Sequence, residues 1–255
     1  MSDTDRLDVA AVAPHPDDLE IICGGTLAKL VKQGHRVGMF DLTSGEPTPR
    51  GTPELRAKEA EAARQALGVP VRVNLGLLNR ELMDGPAARY ALATQFRKWR
   101  PQVVIGVAGR TPAASPDHHQ AQLIIEAARF YAQLTQWNDR FAGTEPYRVP
   151  HLVYAPFPSD AEVRHWPGSF VVDISDTFEQ KLEAIRCYGS QFDLERFDKV
   201  KHFIGGHNTF HGSRCGFHYG ELFHLPHPVG TNDLFALALG GKGSPTAVVL
   251  PVHGS

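Results

Sequence analysis

Short apolar runs alternate with stretches of helical periodicity along the first three quarters of the chain. The apolar runs have the length and composition of buried strands, and they lie at residues 7–13, 37–43, 71–75, 102–107, 151–156 and 169–174. Apolar residues recur three and four positions apart, as in amphipathic helices, in the segments that follow Gly24, Thr52, Pro86 and Asp117. Strands that alternate with helices predict a Rossmann-like α/β fold, a mainly parallel sheet with helices on both faces.

Local signals place the ends of two of these helices. Thr52 followed by Pro53 has the form of an N-cap and a first helical residue, and Gly68 suits the C-terminus of the same helix. Asp176 and Glu179 have the spacing of a capping box, which predicts a later helix that starts there.

The periodicity fades after Asp193, where glycine, histidine and phenylalanine are frequent. We therefore predict an irregular C-terminal region, residues 193–255, that wraps an α/β core of residues 1–192. No repeat or low-complexity linker marks a boundary, so residues 1–255 are expected to form a single domain.

The composition narrows the class of protein. Of the 255 residues, 42% are hydrophobic and 21% are charged, which fits one buried core and excludes a disordered or fibrous chain. The 26 basic and 28 acidic residues leave a net charge of −2, which does not favour nucleic acid or an anionic membrane as a partner. No apolar run approaches the roughly 18 residues of a membrane-spanning helix, and the first residues lack the pattern of a secretory signal. Three widely spaced cysteines favour a reducing, cytoplasmic location.

Three polar loops follow predicted strands and carry most of the candidate chemistry. They are His15–Asp18 after the first strand, Ser44–Arg56 after the second, and Ser115–His119 after the strand at 102–107. Ligands of open α/β sheets bind at the carboxyl ends of the strands. We therefore expect these loops to meet at one edge of the sheet.

Two imidazoles and one carboxylate from these loops form a candidate metal site. His15, Asp18 and His118 suit Zn²⁺ with an open position for water, the pattern of catalytic zinc. Asp17 lies beside this set and is a candidate general base for that water. The ordinary alternative is an acidic loop in which Asp18 or Glu20 caps the next helix, with Asp117 as an N-cap and His118 as a polar residue at a helix start.

Other features of the sequence argue against a second metal site and against a nucleotide-binding site. Six of the thirteen histidines lie between His202 and His227, but only His207 and His211 have the spacing of a helical ligand pair, so loop histidines are expected rather than a second metal site. The first strand is not followed by G-x-G-x-x-G, and two carboxylates there would repel a pyrophosphate, which disfavours a nucleotide enzyme. Cys23 follows two apolar residues and is expected to be a small buried side chain.

The segment Ala13-Pro-His-Pro-Asp-Asp-Leu-Glu20, followed by Cys-Gly-Gly-Thr-Leu27, resembles the opening signature of the LmbE-like (PIG-L) zinc-dependent N-acetyl-sugar deacetylases. The resemblance continues along the chain through 41–46, 51–59, 79–82, 116–118, 171–175 and 181–192. Within the family, the sequence is most similar to the deacetylases of bacillithiol biosynthesis, which remove acetate from N-acetylglucosaminyl malate.

The resemblance implies a cytoplasmic, homo-oligomeric hydrolase with one Zn²⁺ per chain, or Fe²⁺ in its place, acting on a small amino-sugar conjugate. It implies His15, Asp18 and His118 as the metal ligands and Asp17 as the base. It also implies that Arg56 binds the substrate hydroxyls, whereas an arginine on a helix is otherwise most often a solvated surface charge.

The sequence departs from the family pattern at one position. Members usually read His-Pro-Asp-His, and the first histidine, braced by the aspartate, stabilises the developing oxyanion; here Ser115 precedes Pro116, Asp117 and His118. The loss of one oxyanion donor costs about 10²–10³ in rate. Our hypothesis is that His218 or His119 compensates, although His119 could simply face solvent.

Two other functions remain open because of this departure and because pocket shape decides which acyl group is cleaved. One is an amidase of thiol–sugar conjugates. The other is a metal- and sugar-binding family member with little catalytic activity.

Overall fold

The computed structural model describes residues 6–112, 114–158 and 168–230. Seven strands form one sheet within these residues: β1 (Val9–Ala13), β2 (Val37–Thr43), β3 (Val71–Leu77), β4 (Val103–Ala108), β5 (His151–Pro156), β6 (Gly168–Asp173) and β7 (Gly220–Leu225). The α-helices are α1 (Asp18–Lys32), α2 (Pro53–Leu67), α3 (Pro86–Trp99), α4 (Asp117–Ala132), α5 (Phe178–Arg186) and α6 (Leu194–Ser213).

The strand order is β3-β2-β1-β4-β5-β7-β6. All neighbouring strands from β3 to β5 are parallel, and β7 is antiparallel to both β5 and β6. The chain leaves β1 toward β2 and β3, then returns to β4 on the opposite side of β1. The order therefore reverses between β1 and β4, which is where ligands of open α/β sheets bind.

The helices divide into two packed groups, as expected for a sheet covered on both faces. Helices α1, α2 and α5 pack against one another, and α3 packs against α4. The predicted Rossmann-like, mainly parallel sheet with helices on both faces is confirmed. None of the helices in the described ranges is long and apolar enough to cross a membrane.

Helix α2 begins and ends as its local sequence predicts. The hydroxyl of Thr52 accepts a hydrogen bond from the amide of Leu55 at 3.2 Å, and Pro53 is the first helical residue. Gly68 ends the helix with a φ of 71°, a left-handed conformation that glycine adopts at little cost. The residues that form each of these signals are close together in the chain, so each signal acts without help from distant residues.

Two other predicted helix starts are wrong. The helix expected after Gly24 begins earlier, at Asp18. The capping box at Asp176 is also wrong, because α5 begins at Phe178 and the Asp176 carboxylate instead accepts a hydrogen bond from Lys29 at 3.1 Å. The lysine comes from another helix, and a local sequence pattern cannot contain such a partner.

The irregular C-terminal region is wrong for the part that the structure describes. Residues 194–213 form α6, and β7 follows it. Phe197 and Ile204 of α6 pack against α5, but Phe203 and Phe210 are 51% and 58% exposed. The apolar residues of α6 therefore do not form one stripe, which explains why no helical pattern stands out. The rest of that region, from residue 231 onward, lies outside the described residues.

Candidate metal centre

The junction between β1 and α1 places His15, Asp17 and Asp18 at the carboxyl edge of the sheet. Asp17 immediately precedes the helix with a φ of 106°, which non-glycine residues rarely adopt. The Asp18 carboxylate accepts a hydrogen bond from the backbone amide of His15 at 3.0 Å, and the same Oδ2 lies 3.0 Å from His15 Nδ1. The tight turn thus directs an imidazole and a carboxylate toward one point.

His118 joins this pair from the first turn of α4. Its Nε2 lies 3.3 Å from Asp18 Oδ1, and the residue is 4% exposed. One potential ligand atom from each of His15, Asp18 and His118 lies within 4.8 Å of the others, and this is the only group of three or more such residues in the described ranges. Residues a hundred positions apart meet here because β1 and β4 are hydrogen-bonded neighbours.

Asp117 is not the N-cap that the ordinary alternative assumed. The residue before α4 is Pro116, and Asp117 lies inside the first turn, 1% exposed. Its Oδ2 accepts a hydrogen bond from the backbone amide of Arg80 at 2.8 Å and lies 3.3 Å from His15 Nε2. His15 is therefore held between two carboxylates, one at each ring nitrogen.

Two further residues contact His118, one at its second ring nitrogen and one on a face of its ring. The hydroxyl of Thr111 lies 2.8 Å from His118 Nδ1, and the ring of Phe157 stacks on the imidazole with a centroid distance of 4.5 Å. Sequence reasoning missed both. Each follows the end of a central strand, β4 for Thr111 and β5 for Phe157, and that position at the carboxyl edge is the signal that could have found them.

The buried charges in this cluster shift one another's pKa. Burial acts to lower the pKa of His15, but Asp18 and Asp117 outweigh it and raise that pKa to about 10. Burial acts to raise the pKa of Asp18, and the two histidines outweigh it and lower that pKa. Burial raises the pKa of Asp17 to about 7, with the positive charge of Arg56 opposing this rise.

Arg56 is buried behind the cluster. It is 3% exposed, and its Nη2 donates to the carbonyl of Pro16 at 2.7 Å and lies 3.4 Å from Asp17 Oδ2. Its Nε and Nη1 are also buried and have no hydrogen-bond partner among the described residues. The alternative of a solvated surface charge is wrong, since the guanidinium lies under the turn that carries Asp17.

The comparisons with known proteins agree with this geometry. The family model described as PIG-L, GlcNAc-PI de-N-acetylase, matches residues 10–129. Over 224 residues, the chain is 31% identical to the diacetylchitobiose deacetylase of Thermococcus kodakarensis, and the alignment covers 84% of this chain and 80% of the relative. The chain belongs to the PIG-L family. The predicted family and the prediction of a metal-dependent deacetylase enzyme are confirmed.

Other similar proteins extend the likeness over most of the chain. The 1D-myo-inositol 2-acetamido-2-deoxy-alpha-D-glucopyranoside deacetylase of Actinosynnema mirum is 26% identical over 228 residues, which is 71% of this chain and 79% of that protein. The solved structure of the conserved protein TT1542 from Thermus thermophilus is 36% identical with a TM-score of 0.75, and the alignment covers 88% of this chain and 96% of that one.

Ser115 stands where the PIG-L pattern usually has a histidine. Its Oγ accepts a hydrogen bond from the backbone amide of Asp117, the first residue of α4, at 3.3 Å. His119, the next candidate, is half-buried rather than solvent-facing, and its Nδ1 is buried without a partner among the described residues.

The structure does not bring His218 to the metal centre. His218 is exposed and lies near Asp173, whose pKa it helps to lower. The carbonyl of Asp173 accepts a hydrogen bond from Lys29 at 2.6 Å, in the last turns of α1. Eleven residues, roughly 16 Å of helix, separate Lys29 from Asp18 at the start of α1. The hypothesis that His218 replaces the missing histidine is therefore wrong.

His207 and His211 form a pair on α6 with ring centroids 4.5 Å apart. Burial lowers the pKa of His207 to about 4, and it lowers the pKa of His211 as well. No third ligand completes a metal group with this pair among the residues that the structure describes.

Proposed function

We propose that this PIG-L enzyme hydrolyses the N-acetyl group of an N-acetylglucosaminide, with one Zn²⁺ held by His15, Asp18 and His118. The observation that carries the proposal is the buried convergence of these three side chains, whose ligand atoms lie within 4.8 Å of one another. It is supported by the strand order, since the convergence falls where the order reverses between β1 and β4.

The donor set fits a divalent transition metal. Two imidazole nitrogens and one carboxylate oxygen are typical ligands of catalytic zinc, which keeps a fourth position open. Histidine ligands of metals also bind a partner through the second ring nitrogen, and here Asp117 and Thr111 contact those nitrogens. A bound ion would supply a Lewis acid that polarises the acetamide carbonyl and lowers the pKa of water. Fe²⁺ is the alternative ion, and metal analysis of protein purified without oxygen distinguishes the two.

Asp17 is the proposed base. It takes a proton from the attacking water, whose oxygen forms a bond to the acetamide carbon. The carbon–nitrogen bond then breaks, the amine receives a proton from Asp17, and acetate leaves. A pKa of about 7 suits a group that must accept and return a proton near neutral pH.

The roles proposed for Arg56 and Ser115 follow from their contacts. Arg56 lies too deep for direct contact with sugar hydroxyls, and its bonds to the turn favour a role in holding Asp17. Ser115 can still donate its hydroxyl hydrogen to an oxyanion, because its bond to the Asp117 amide uses the oxygen only as an acceptor.

The proposed substrate is N-acetylglucosaminyl malate, on the strength of the resemblance to the deacetylases of bacillithiol biosynthesis. The relatives are named for diacetylchitobiose and for an inositol acetamidoglucoside, and an N-acetylglucosamine unit is common to all three. By the same resemblance we propose a homo-oligomer. A cytoplasmic location is also proposed, since the three cysteines are free thiols.

Acetate release from a panel of substrates tests this function. Purified protein is loaded with Zn²⁺ and incubated with N-acetylglucosaminyl malate, diacetylchitobiose and the inositol glucosaminide, with His118→Ala as the matched control. We expect acetate from at least one substrate, with the malate conjugate fastest, and none from the control. Protein that holds one metal ion per chain yet releases no acetate from any of them would contradict the proposal.

The same preparation separates the two alternatives. Release of an acyl group from a thiol–sugar conjugate, without release of acetate from the panel, would identify an amidase of such conjugates. Calorimetric binding of the N-acetylated sugars without turnover would identify a sugar-binding member with little activity.

A further inference from the structure

We propose that Thr111 and Asp117 are positioning residues that fix opposite tautomers in the two imidazoles of the metal centre. The hydroxyl of Thr111 lies at Nδ1 of His118, and the carboxylate of Asp117 lies at Nε2 of His15. The inference rests on the proposed metal site and concerns how its ligands are kept ready.

A histidine that binds a metal must have its lone pair on the correct nitrogen. A neutral imidazole carries one N–H and one lone pair, and a metal takes the lone pair. The hydrogen must therefore sit on the nitrogen that points away from the ion. The partner of that outer nitrogen decides which tautomer is stable, because only an acceptor there favours the N–H.

Thr111 is placed to accept a hydrogen bond from His118, because its own hydrogen has a second possible partner. A threonine hydroxyl has a single hydrogen, and Thr111 Oγ1 lies 3.3 Å from the backbone carbonyl of Ser115, which can only accept. With its hydrogen directed there, Oγ1 accepts the N–H of His118 Nδ1 at 2.8 Å. The lone pair of His118 is then on Nε2, where it would bind an ion held beside Asp18, whose Oδ1 lies 3.3 Å away.

Asp117 imposes the reverse arrangement on His15. An ionised carboxylate only accepts, and Asp117 Oδ2 is oriented by the backbone amide of Arg80. When an ion replaces the proton on Nδ1, the nitrogen that lies 3.0 Å from Asp18, the N–H that remains on His15 is at Nε2 and donates to Asp117. The two lone pairs would then face one ion beside Asp18 from different ring positions, Nδ1 of His15 and Nε2 of His118, which one shared tautomer could not achieve.

Position 115 contributes to this network through its backbone. Thr111 is 6% exposed, and a turn holds it in place through a hydrogen bond of 2.8 Å from the amide of Ala114 to its own carbonyl. The carbonyl of Ser115 takes the hydroxyl hydrogen of Thr111, and the stacked ring of Phe157 restricts rotation of His118. A replacement at Thr111 that keeps its shape but removes the oxygen should therefore affect mainly the tautomer.

Zinc affinity of matched variants tests the proposal. Dissociation constants are measured by competition with a chromophoric chelator for the wild type, Thr111→Val, Thr111→Ser and Asp117→Asn, with Thr94→Val as the control. Thr94 makes a similar hydroxyl-to-carbonyl bond at 2.8 Å on α3, away from the metal centre. Loss of an outer partner typically weakens metal binding 10–100-fold.

We expect Thr111→Val and Asp117→Asn to weaken zinc binding by about 10–100-fold, while Thr111→Ser and Thr94→Val stay within about threefold of the wild type. If Thr111→Val has the same dissociation constant for zinc as the wild type, the proposal is overturned. If the wild type itself binds no zinc, the proposed function fails first, so the two failures are distinguishable.

A measurement on the wild type avoids any variant that fails to fold. Nitrogen-15 NMR of the zinc-loaded protein, labelled at histidine, reports which ring nitrogen carries the hydrogen. We expect the hydrogen on Nδ1 of His118 and on Nε2 of His15. The same tautomer at both residues would overturn the proposal.

Discussion

Two pairs of histidines in this molecule, His15 with His118 and His207 with His211, differ in the residues that surround them. His15 and His118 each have one nitrogen toward Asp18 and the other against an oxygen of a further residue. His207 and His211 pack ring against ring, 4.5 Å apart, on α6. The first group has hydrogen-bond partners that orient its rings, whereas burial is the main influence on the rings of the second group.

The pKa values follow this difference. Carboxylates raise the pKa of His15 to about 10 against the effect of burial, whereas burial lowers the pKa of His207 to about 4. A metal site thus depends on acidic and hydroxyl partners at defined ring nitrogens. The density of histidines in the sequence, which is highest between residues 202 and 227, does not locate it.

The largest expected effect contrasts one residue from each group. In His118→Ala we expect kcat/KM for deacetylation to fall by about 10³ or more and the bound metal to be lost, since a bound ion supplies several kcal/mol of transition-state stabilisation. In His207→Ala both should stay within about twofold of the wild type, because His207 is not part of the proposed ligand group. Equal losses in the two variants would remove the distinction between the groups.

Replacement of the proposed base separates metal binding from proton transfer. Asp17→Asn should lower kcat by about 10²–10³ and leave one metal ion per chain, because Asp17 is not among the three ligands. Steady-state kinetics and elemental analysis of the same sample measure both. A variant that keeps full kcat would exclude Asp17 as the base.

His207, in the second group, should make the free energy of unfolding depend on pH in the acidic range. The pKa of His207 is about 4 in the folded chain and 6.5 in the unfolded chain. Between these values the unfolded chain binds more protons, so the free energy of unfolding falls as the pH is lowered from 6.5 to 4. We expect His207 to account for about 1–3 kcal/mol of this fall.

Urea unfolding of the wild type and His207→Gln at about pH 7.5 and about pH 5, on either side of the ordinary histidine pKa, measures that contribution. The difference between the two proteins cancels the other titrating groups, and the fall should be smaller in the variant. An unchanged pH dependence in His207→Gln would show that its pKa is not lowered by folding.

The smallest expected effect concerns Ser115. Its observed bond satisfies the amide of Asp117, the first residue of α4, so Ser115→Ala should lower the free energy of unfolding by about 1 kcal/mol and change kcat less than about tenfold. A fall in kcat of about 10² or more would instead identify the hydroxyl as an oxyanion donor. Thermal unfolding and kinetics of one preparation decide between them.

Features that depend on neighbouring residues could be predicted from the sequence. The ends of α2 follow from Thr52 and Gly68, and the buried strands follow from continuous apolar runs. The metal group was predicted from a motif together with the rule that the carboxyl ends of adjacent strands meet. Each of these signals is local or follows from the strand order.

Features that depend on distant contacts could not be predicted. Aspartate is a residue type that often caps helices, which is what the sequence indicates for Asp117. Only the fold reveals that its partner is His15, 102 residues away. Arg56 resembles a surface cation until the turn at Pro16 covers it. Helix α6 has apolar residues on both its buried and its exposed sides, so its sequence lacks the stripe that marks a helix.

Anomalous diffraction at the zinc edge, from crystals of the zinc-loaded protein, tests the central claim most directly. The account predicts one strong peak per chain, about 2.0–2.2 Å from His15 Nδ1, His118 Nε2 and an oxygen of Asp18. A peak between His207 and His211 instead, or no peak beside Asp18, would contradict it.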